Sequence, residues 1–187
     1  MSKLKIDRCW TLFLDRDGVI NRRIPGAYIN TIDDFQILPG VLDAISSLSK
    51  MFNHVIVVTN QQGIRLGLLT PGQLEAVHNH LLSEVSRAGG CIDSIYYCGD
   101  LARQPGNCRK PSPAMAMRAK SDYHDIDFSK SIMVGDSISD VAFGQNLGMK
   151  TILVGEQLGY PDLQGRWRPD FILEGLRNVM SIVTSPD

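Results

Sequence analysis

Five short runs of apolar, largely β-branched positions recur along the chain: WTLFLD (10–15), HVIVVTN (54–60), SIYYCGD (94–100), SIMVGD (131–136) and TILVGE (151–156). Between them the apolar positions take helical spacing near 40–52, 71–88, 113–123 and 138–147, with a further helical stretch near 174–184. Runs this apolar read as strands buried on both faces. Two helix starts are marked. Thr70-Pro71 and Ser112-Pro113 each place a capping hydroxyl before a proline at the first helical position. The alternation of strand and helix predicts an α/β fold with a mostly parallel sheet covered on both sides. Nothing along the chain marks a repeat, a low-complexity tract or a linker, so residues 1–187 are expected to form one domain.

Polar residues fall where these strands end. The clusters are Asp15-Arg16-Asp17, Thr59-Asn60-Gln61, Cys98-Gly99-Asp100 and Gly135-Asp136-Ser137. An aspartate after a strand is often only a turn former or helix cap. Four such clusters at the carboxyl edge of a parallel sheet, where sites of this architecture lie, predict that they converge on one site.

Composition narrows the class. The net charge of −1 excludes a general affinity for nucleic acid or anionic membranes. No apolar run approaches the roughly 20 residues that span a bilayer, and MSKLKIDRCW lacks the apolar core of a signal peptide. Four cysteines, Cys9, Cys91, Cys98 and Cys108, in a chain of 187 residues do not make a disulfide scaffold, so a reduced, cytoplasmic protein is expected. His78 and His80 stand two apart on a helix and do not share a face, which favours surface or partly buried roles. In GRWRPDF (165–171), Trp167 is expected to pack near the sheet edge rather than stack on a base.

The strand-end residues have a common chemistry. Two carboxylates one residue apart at the rim of a core repel and lose hydration, and a bound cation would offset both effects. Asp15, Asp17 and Asp136 offer hard oxygen ligands of the kind that suit Mg²⁺. A carboxylate there can attack phosphorus, and its neighbour can protonate the leaving oxygen and later deprotonate water. Thr59 and Asn60 bring a hydroxyl and an amide for phosphoryl oxygens, and Lys110 brings positive charge for the transition state.

LDRDGVIN, VVTNQQGI, CRKPSPAM and VGDSISDV resemble, in order and spacing, the four motifs of the haloacid dehalogenase superfamily of phosphatases. DRDG, TNQQGI and the passage from YYC to CRKP are most similar to the branch that holds D-glycero-D-manno-heptose 1,7-bisphosphate and histidinol-phosphate phosphatases. The resemblance implies a doubly wound, Rossmann-like sheet. It also implies a Mg²⁺-dependent phosphomonoester hydrolase working through an aspartyl-phosphate. The implied substrate is a small sugar phosphate, foremost the heptose bisphosphate at its 7-phosphate, with histidinol phosphate or another small ester as the alternative. A non-catalytic phosphate-binding protein is the reading from another class. By resemblance Asp15 is nucleophile and metal ligand, and Asp17 is general acid/base with a backbone carbonyl on the metal. Thr59 and Lys110 hold the phosphoryl group. Asn60, Gln61 and Arg109 meet substrate, and Asp136 is the last metal ligand. Asp140 either orients its loop or favours the helix dipole. The segments between motifs are too short for a separate cap domain, so loops 21–34 and 99–109 should form the rim. A monomer with no macromolecular partner is expected.

Three departures stand out. Many members of the branch it resembles bind structural zinc through a C-x-H pair and a C-x-C pair, but this chain reads Cys98-Gly99-Asp100 and Gly106-Asn107-Cys108. Only two of the four ligands remain, so no zinc is expected, and Cys98 and Cys108 are expected as thiols that would pair only on oxidation. Ser137 stands where the heptose enzymes often have lysine. Arg22 and Arg23 offer either contacts for a distal acidic group or a solvated surface pair.

Overall fold

The computed structural model describes residues 3–155 and 167–184. Its elements are β1 (Leu4–Lys5), β2 (Thr11–Leu14), α1 (Val41–Leu48), β3 (His54–Asn60), α2 (Pro71–Arg87), β4 (Ser94–Cys98), α3 (Ala114–Asp122), β5 (Ser131–Gly135), α4 (Ile138–Asn146), β6 (Lys150–Val154), β7 (Phe171–Leu173) and β8 (Val183–Thr184). Short 3₁₀ turns cover Phe128–Lys130 and Leu176–Ser181. Six strands form a parallel sheet in the order β4-β3-β2-β5-β6-β7. The chain winds outward in both directions from β2 and β5, so the topological switch lies between them, and their carboxyl ends open onto the crevice where ligands bind.

Alternation along the strands divides the core in two. Leu12 and Leu14 of β2 and Val55 and Val57 of β3 pack with Val41, Ile45 and Leu48 of α1 and Val77 and Leu81 of α2. Phe13, Ile56 and Val58 face the other way, onto Met115 and Ala119 of α3 and Phe143 of α4. Every residue of β2 and β5 is buried, as a central strand with helices on both sides requires. Among the described residues, the β2–β3 and β3–β4 connections carry one helix each and no inserted domain. No helix among them is long and apolar enough to cross a membrane.

The cap expected before α2 forms as a capping box, with Thr70 and Gln73 bonded reciprocally and Pro71 opening the helix. At α3 the start shifts by one residue. Pro113 is the cap, no side chain caps the helix, and the Ser112 N–H donates to the Arg109 carbonyl. The helix expected near 174–184 is instead the 3₁₀ turn followed by β8. The buried positions Leu176, Val179 and Ile182 repeat every third residue, the period of a 3₁₀ helix. The chain then leaves to pair β8 with β1, Leu4 beside Val183. Strands β1, β7 and β8 are too short to show an alternation in sequence. Position 156 of the fifth apolar run, and positions 165 and 166 of GRWRPDF, lie outside the described residues. Trp167 is partly buried just before edge strand β7.

Candidate active site

The cleft, about 350 Å³, sits beyond the carboxyl ends of β2, β3 and β5. Asp15 is the first residue after β2, and its N–H still follows the strand pairing by donating to the Val134 carbonyl. Asp136 follows β5 directly, and Asp140 lies in the first turn of α4. Two glycines permit this crowding. Gly18 has φ +92°, and a side chain there would collide with the Asp136 carboxylate; one at Gly135 would collide with Asp140.

Oxygens of Asp15, Asp136 and Asp140 all lie within 4.8 Å of one another. Lys110 closes the group. Its Nζ is 2.7 Å from Asp15 Oδ1, 2.7 Å from Asp140 Oδ1, and donates to the Val58 carbonyl at 2.8 Å. Burial pushes the Asp15 carboxyl up to about 8, against the pull of Lys110 and helped by the charges of Asp140, Asp136 and Asp17. Burial and the Asp140 charge also raise Asp136, although Arg23 opposes them at 3.2 Å. Burial works to lower the Lys110 amine, but the two carboxylates outweigh it and hold its pKa above the ordinary value. Three carboxylates against the Lys110 ammonium and the Arg23 guanidinium leave an excess of negative charge. A donor set made only of oxygens, with no histidine or cysteine, fits a hard divalent cation such as Mg²⁺.

Asp17 is in a different environment. Its side chain is outside the carboxylate cluster and 25% exposed. Arg16 Nη2 donates to both of its oxygens, at 2.9 and 3.0 Å. Asn21 Nδ2 and Gln61 Nε2 each donate at 2.9 Å. Burial works to raise this carboxyl, but Arg16 and the hydrogen bonds outweigh it and hold it below the ordinary carboxylate value.

The cleft brings together Asp15, Asp17, Thr59, Asn60, Gln61, Arg23, Arg109, Lys110 and Asp136. Arg22 does not join them. It is exposed and is not part of the cleft lining, and its N–H donates to the Gln36 carbonyl. Gln61 reaches the cleft, but its amide nitrogen is spent on Asp17 and on Thr59 Oγ1 (2.8 Å), so it braces two neighbours. Asn60 Oδ1 accepts the Lys110 N–H at 3.0 Å and so positions the lysine. Asp140 is buried, accepts both the Ser137 N–H and Oγ–H on Oδ2, and turns Oδ1 to Lys110, which resolves it as an orienting group and a third cluster carboxylate. The S-x-x-D spacing of Ser137 and Asp140 was the sequence signal for this. Arg16 lay in a predicted strand-end cluster without an assigned role; Asn21 and Tyr28 had no such signal as site residues.

The thiols expected at Cys98 and Cys108 are corrected. The two residues form a disulfide, with Cα atoms 5.6 Å apart. Cys98 is buried at the end of β4, and the connection folds back so that Cys108 meets it; Asp100 Oδ2 accepts the Cys108 N–H at 3.1 Å. Arg109 and Lys110 follow at once, with a cis bond between Lys110 and Pro111. Arg109 is half-buried, and burial lowers its pKa from the ordinary value.

Strand order, the acids after β2 and β5, and the lysine between them define a phosphoryl-transfer hydrolase of the haloacid dehalogenase class. Residues 107–179 match the family model described as HAD-hydrolase-like. A D-glycero-alpha-D-manno-heptose-1,7-bisphosphate 7-phosphatase of Mycobacterium tuberculosis (strain CDC 1551 / Oshkosh) is 38% identical over 138 residues, 74% of this chain and 73% of the relative. A D-glycero-beta-D-manno-heptose-1,7-bisphosphate 7-phosphatase of Escherichia coli (strain K12) is 39% identical over 151 residues, 76% of this chain and 78% of the relative. The D,D-heptose 1,7-bisphosphate phosphatase from B. bronchiseptica, solved with magnesium and phosphate, superposes with a TM-score of 0.82 at 31% identity, covering 92% of this chain and 96% of that one. The chain belongs to this family of heptose-bisphosphate phosphatases, and it is a phosphatase.

Proposed function

We propose that this phosphatase removes the 7-phosphate of D-glycero-D-manno-heptose 1,7-bisphosphate with Mg²⁺, through an aspartyl-phosphate on Asp15. One observation carries the reading: Asp15 and Asp140 meet Lys110, with the Asp136 carboxylate beside them, in a cleft that also holds Thr59 and Asp17. Asp15 Oδ1 accepts the Arg16 N–H at 2.8 Å and faces Lys110, so Oδ2 is the atom presented to phosphorus. Thr59 Oγ1 already accepts from Gln61, which turns its proton toward a phosphoryl oxygen. Lys110 supplies charge where the equatorial oxygens gather it. Asp17 protonates the departing sugar oxygen. A phosphate dianion beside it raises its proton affinity, and the ionised carboxylate then takes the proton of the hydrolytic water. Mg²⁺, held by Asp15, Asp136, the Asp17 carbonyl and, in this reading, Asp140, would neutralise the acids and polarise the phosphoryl group. Arg109 and Arg23 line the cleft and, in this reading, meet the rest of the substrate. With Cys98 and Cys108 joined, too few ligands remain for a structural zinc. The proposed setting is a cytoplasmic monomer acting on a small sugar phosphate.

The test is phosphate release with Mg²⁺ from both anomers of the heptose bisphosphate, from histidinol phosphate and from p-nitrophenyl phosphate. One phosphate per heptose bisphosphate, lost with EDTA and with Asp15→Asn, is expected. Higher kcat/KM on histidinol phosphate would transfer the assignment to that substrate. Metal analysis showing stoichiometric zinc would overturn the zinc-free loop.

A further inference from the structure

Among the described residues, Arg16 is the largest fully buried side chain, 1% exposed. A guanidinium so placed needs a partner for every face of its fork. Nη2 and Nε are turned to Asp17, at 2.9 to 3.3 Å, and the Phe35 ring lies 5.8 Å from Cζ. Nη1 points the other way, to Nε2 of His78 at 3.2 Å. His78 is buried in α2, 62 residues along the chain. Arginine only donates, so His78 must accept on Nε2 and carry its proton on Nδ1; the tautomer follows from this network. Burial and the Arg16 charge, against a smaller pull from Asp17, hold the imidazole down to about 4. It therefore stays neutral and able to accept.

The guanidinium is planar and rigid. An anchor on Nη1 sets the plane in which Nη2 and Nε meet Asp17. We propose that His78 is a positioning residue for proton transfer: by accepting Arg16 Nη1 it fixes the guanidinium, and the guanidinium fixes the Asp17 carboxylate toward the leaving oxygen. Asn21 and Gln61 hold the same carboxylate from other sides, so loss of His78 weakens this placement without abolishing it. The inference rests on the reading of Asp17 as general acid.

Leaving-group dependence tests it. A sugar alkoxide needs a proton as it departs, whereas p-nitrophenolate leaves without one. kcat/KM reports the steps through phosphoryl transfer to Asp15, so water activation in the second half-reaction does not enter. Asp17→Asn is the reference and should lose kcat/KM far more on the sugar phosphate than on the aryl phosphate. His78→Leu should repeat that asymmetry on a smaller scale, about tenfold on the sugar phosphate and under about twofold on the aryl phosphate, out of the roughly 10²–10⁴-fold that proton transfer is worth. His78→Gln, whose Oε1 can take the place of Nε2, should restore the rate. His78→Asn, too short to reach Arg16, should not, and this pair decides the matter if the leucine variant fails to fold. Equal losses on both esters, no loss on either, or no advantage of glutamine over asparagine would overturn the role of His78. If Asp17→Asn itself shows no asymmetry, the assignment of Asp17 fails instead.

Discussion

Two loops deliver the chemistry to the same edge of the sheet, and they are held by different means. The turn that begins at Asp15 starts directly on β2. Asp15 and Arg16 are buried, and its shape comes from charge and hydrogen bonds: Arg16 on Asp17, Asn21 on Asp17, and the Gly18 N–H on the Asn21 carbonyl. The segment from Cys98 to Lys110 has no helix or strand after β4 and carries its lysine twelve positions past the strand end. It is tied by the Cys98–Cys108 disulfide, by Asp100 on the Cys108 N–H and by Asn60 on the Lys110 N–H. A residue beside a buried strand inherits the strand's position. A residue twelve further on needs a tether, because each free residue adds conformations that must be lost on folding.

Lys110 joins the two regions, so its removal should have the largest effect. In Lys110→Ala the carboxylates of Asp15 and Asp140 face each other uncompensated. Breaking a buried pair this way costs about 3–5 kcal/mol, and kcat should fall by about 10²–10³ with a smaller change in KM. Urea unfolding and steady-state kinetics measure both. A kcat within a few-fold of the parent would break the link drawn between the loops.

Cutting the tether comes next. Removing a disulfide that closes a loop of this size, as in Cys98→Ser with Cys108→Ser, should cost about 3 kcal/mol on the chain-entropy account. Arg109 directly follows the tether, so KM should rise before kcat falls. A matching drop in Tm on treatment with a dithiol, absent in the double variant, would sharpen the comparison. In the other loop, Arg16→Met should cost about 2 kcal/mol, less than a fully buried pair because Asp17 is a quarter exposed. Its loss should fall on kcat/KM for the sugar phosphate rather than on binding.

The pH dependence without metal sets the two acids of the first loop against each other. Asp15 binds its proton more tightly folded than unfolded, so its contribution is complete below the ordinary carboxylate value and is lost as pH rises from there to about 8. Asp17 works in the opposite sense. Its stabilisation is complete above the ordinary value and is lost as pH falls through its lowered one. Thermal melts with EDTA should therefore show stability declining from pH 5 to pH 8. Added Mg²⁺ should raise Tm more at pH 8 than at pH 5, because the ligands must first lose their protons. A Mg²⁺ response equal at both values would remove Asp15 from the proposed ligands.

The sequence by itself determined the alternation of strands and helices, the Thr70–Gln73 cap, and the placing of Asp15, Asp17, Thr59 and Asp136 at one edge. These features follow from short-range rules: burial with period two or 3.6, a hydroxyl before a helix, an acid after a strand. Tertiary structure decided what each polar group does with its second partner. Gln61 braces Asp17 and Thr59, Asn60 positions Lys110, Arg22 turns out to solvent, and His78, rated a surface or partly buried residue, meets Arg16 in the interior. The same holds for Cys98 with Cys108, and for β8 on β1 in place of a last helix. Most of these pairings join positions brought together only when the sheet and its helices pack, and no local pattern of apolar and polar residues encodes a partner 50 or 62 residues away.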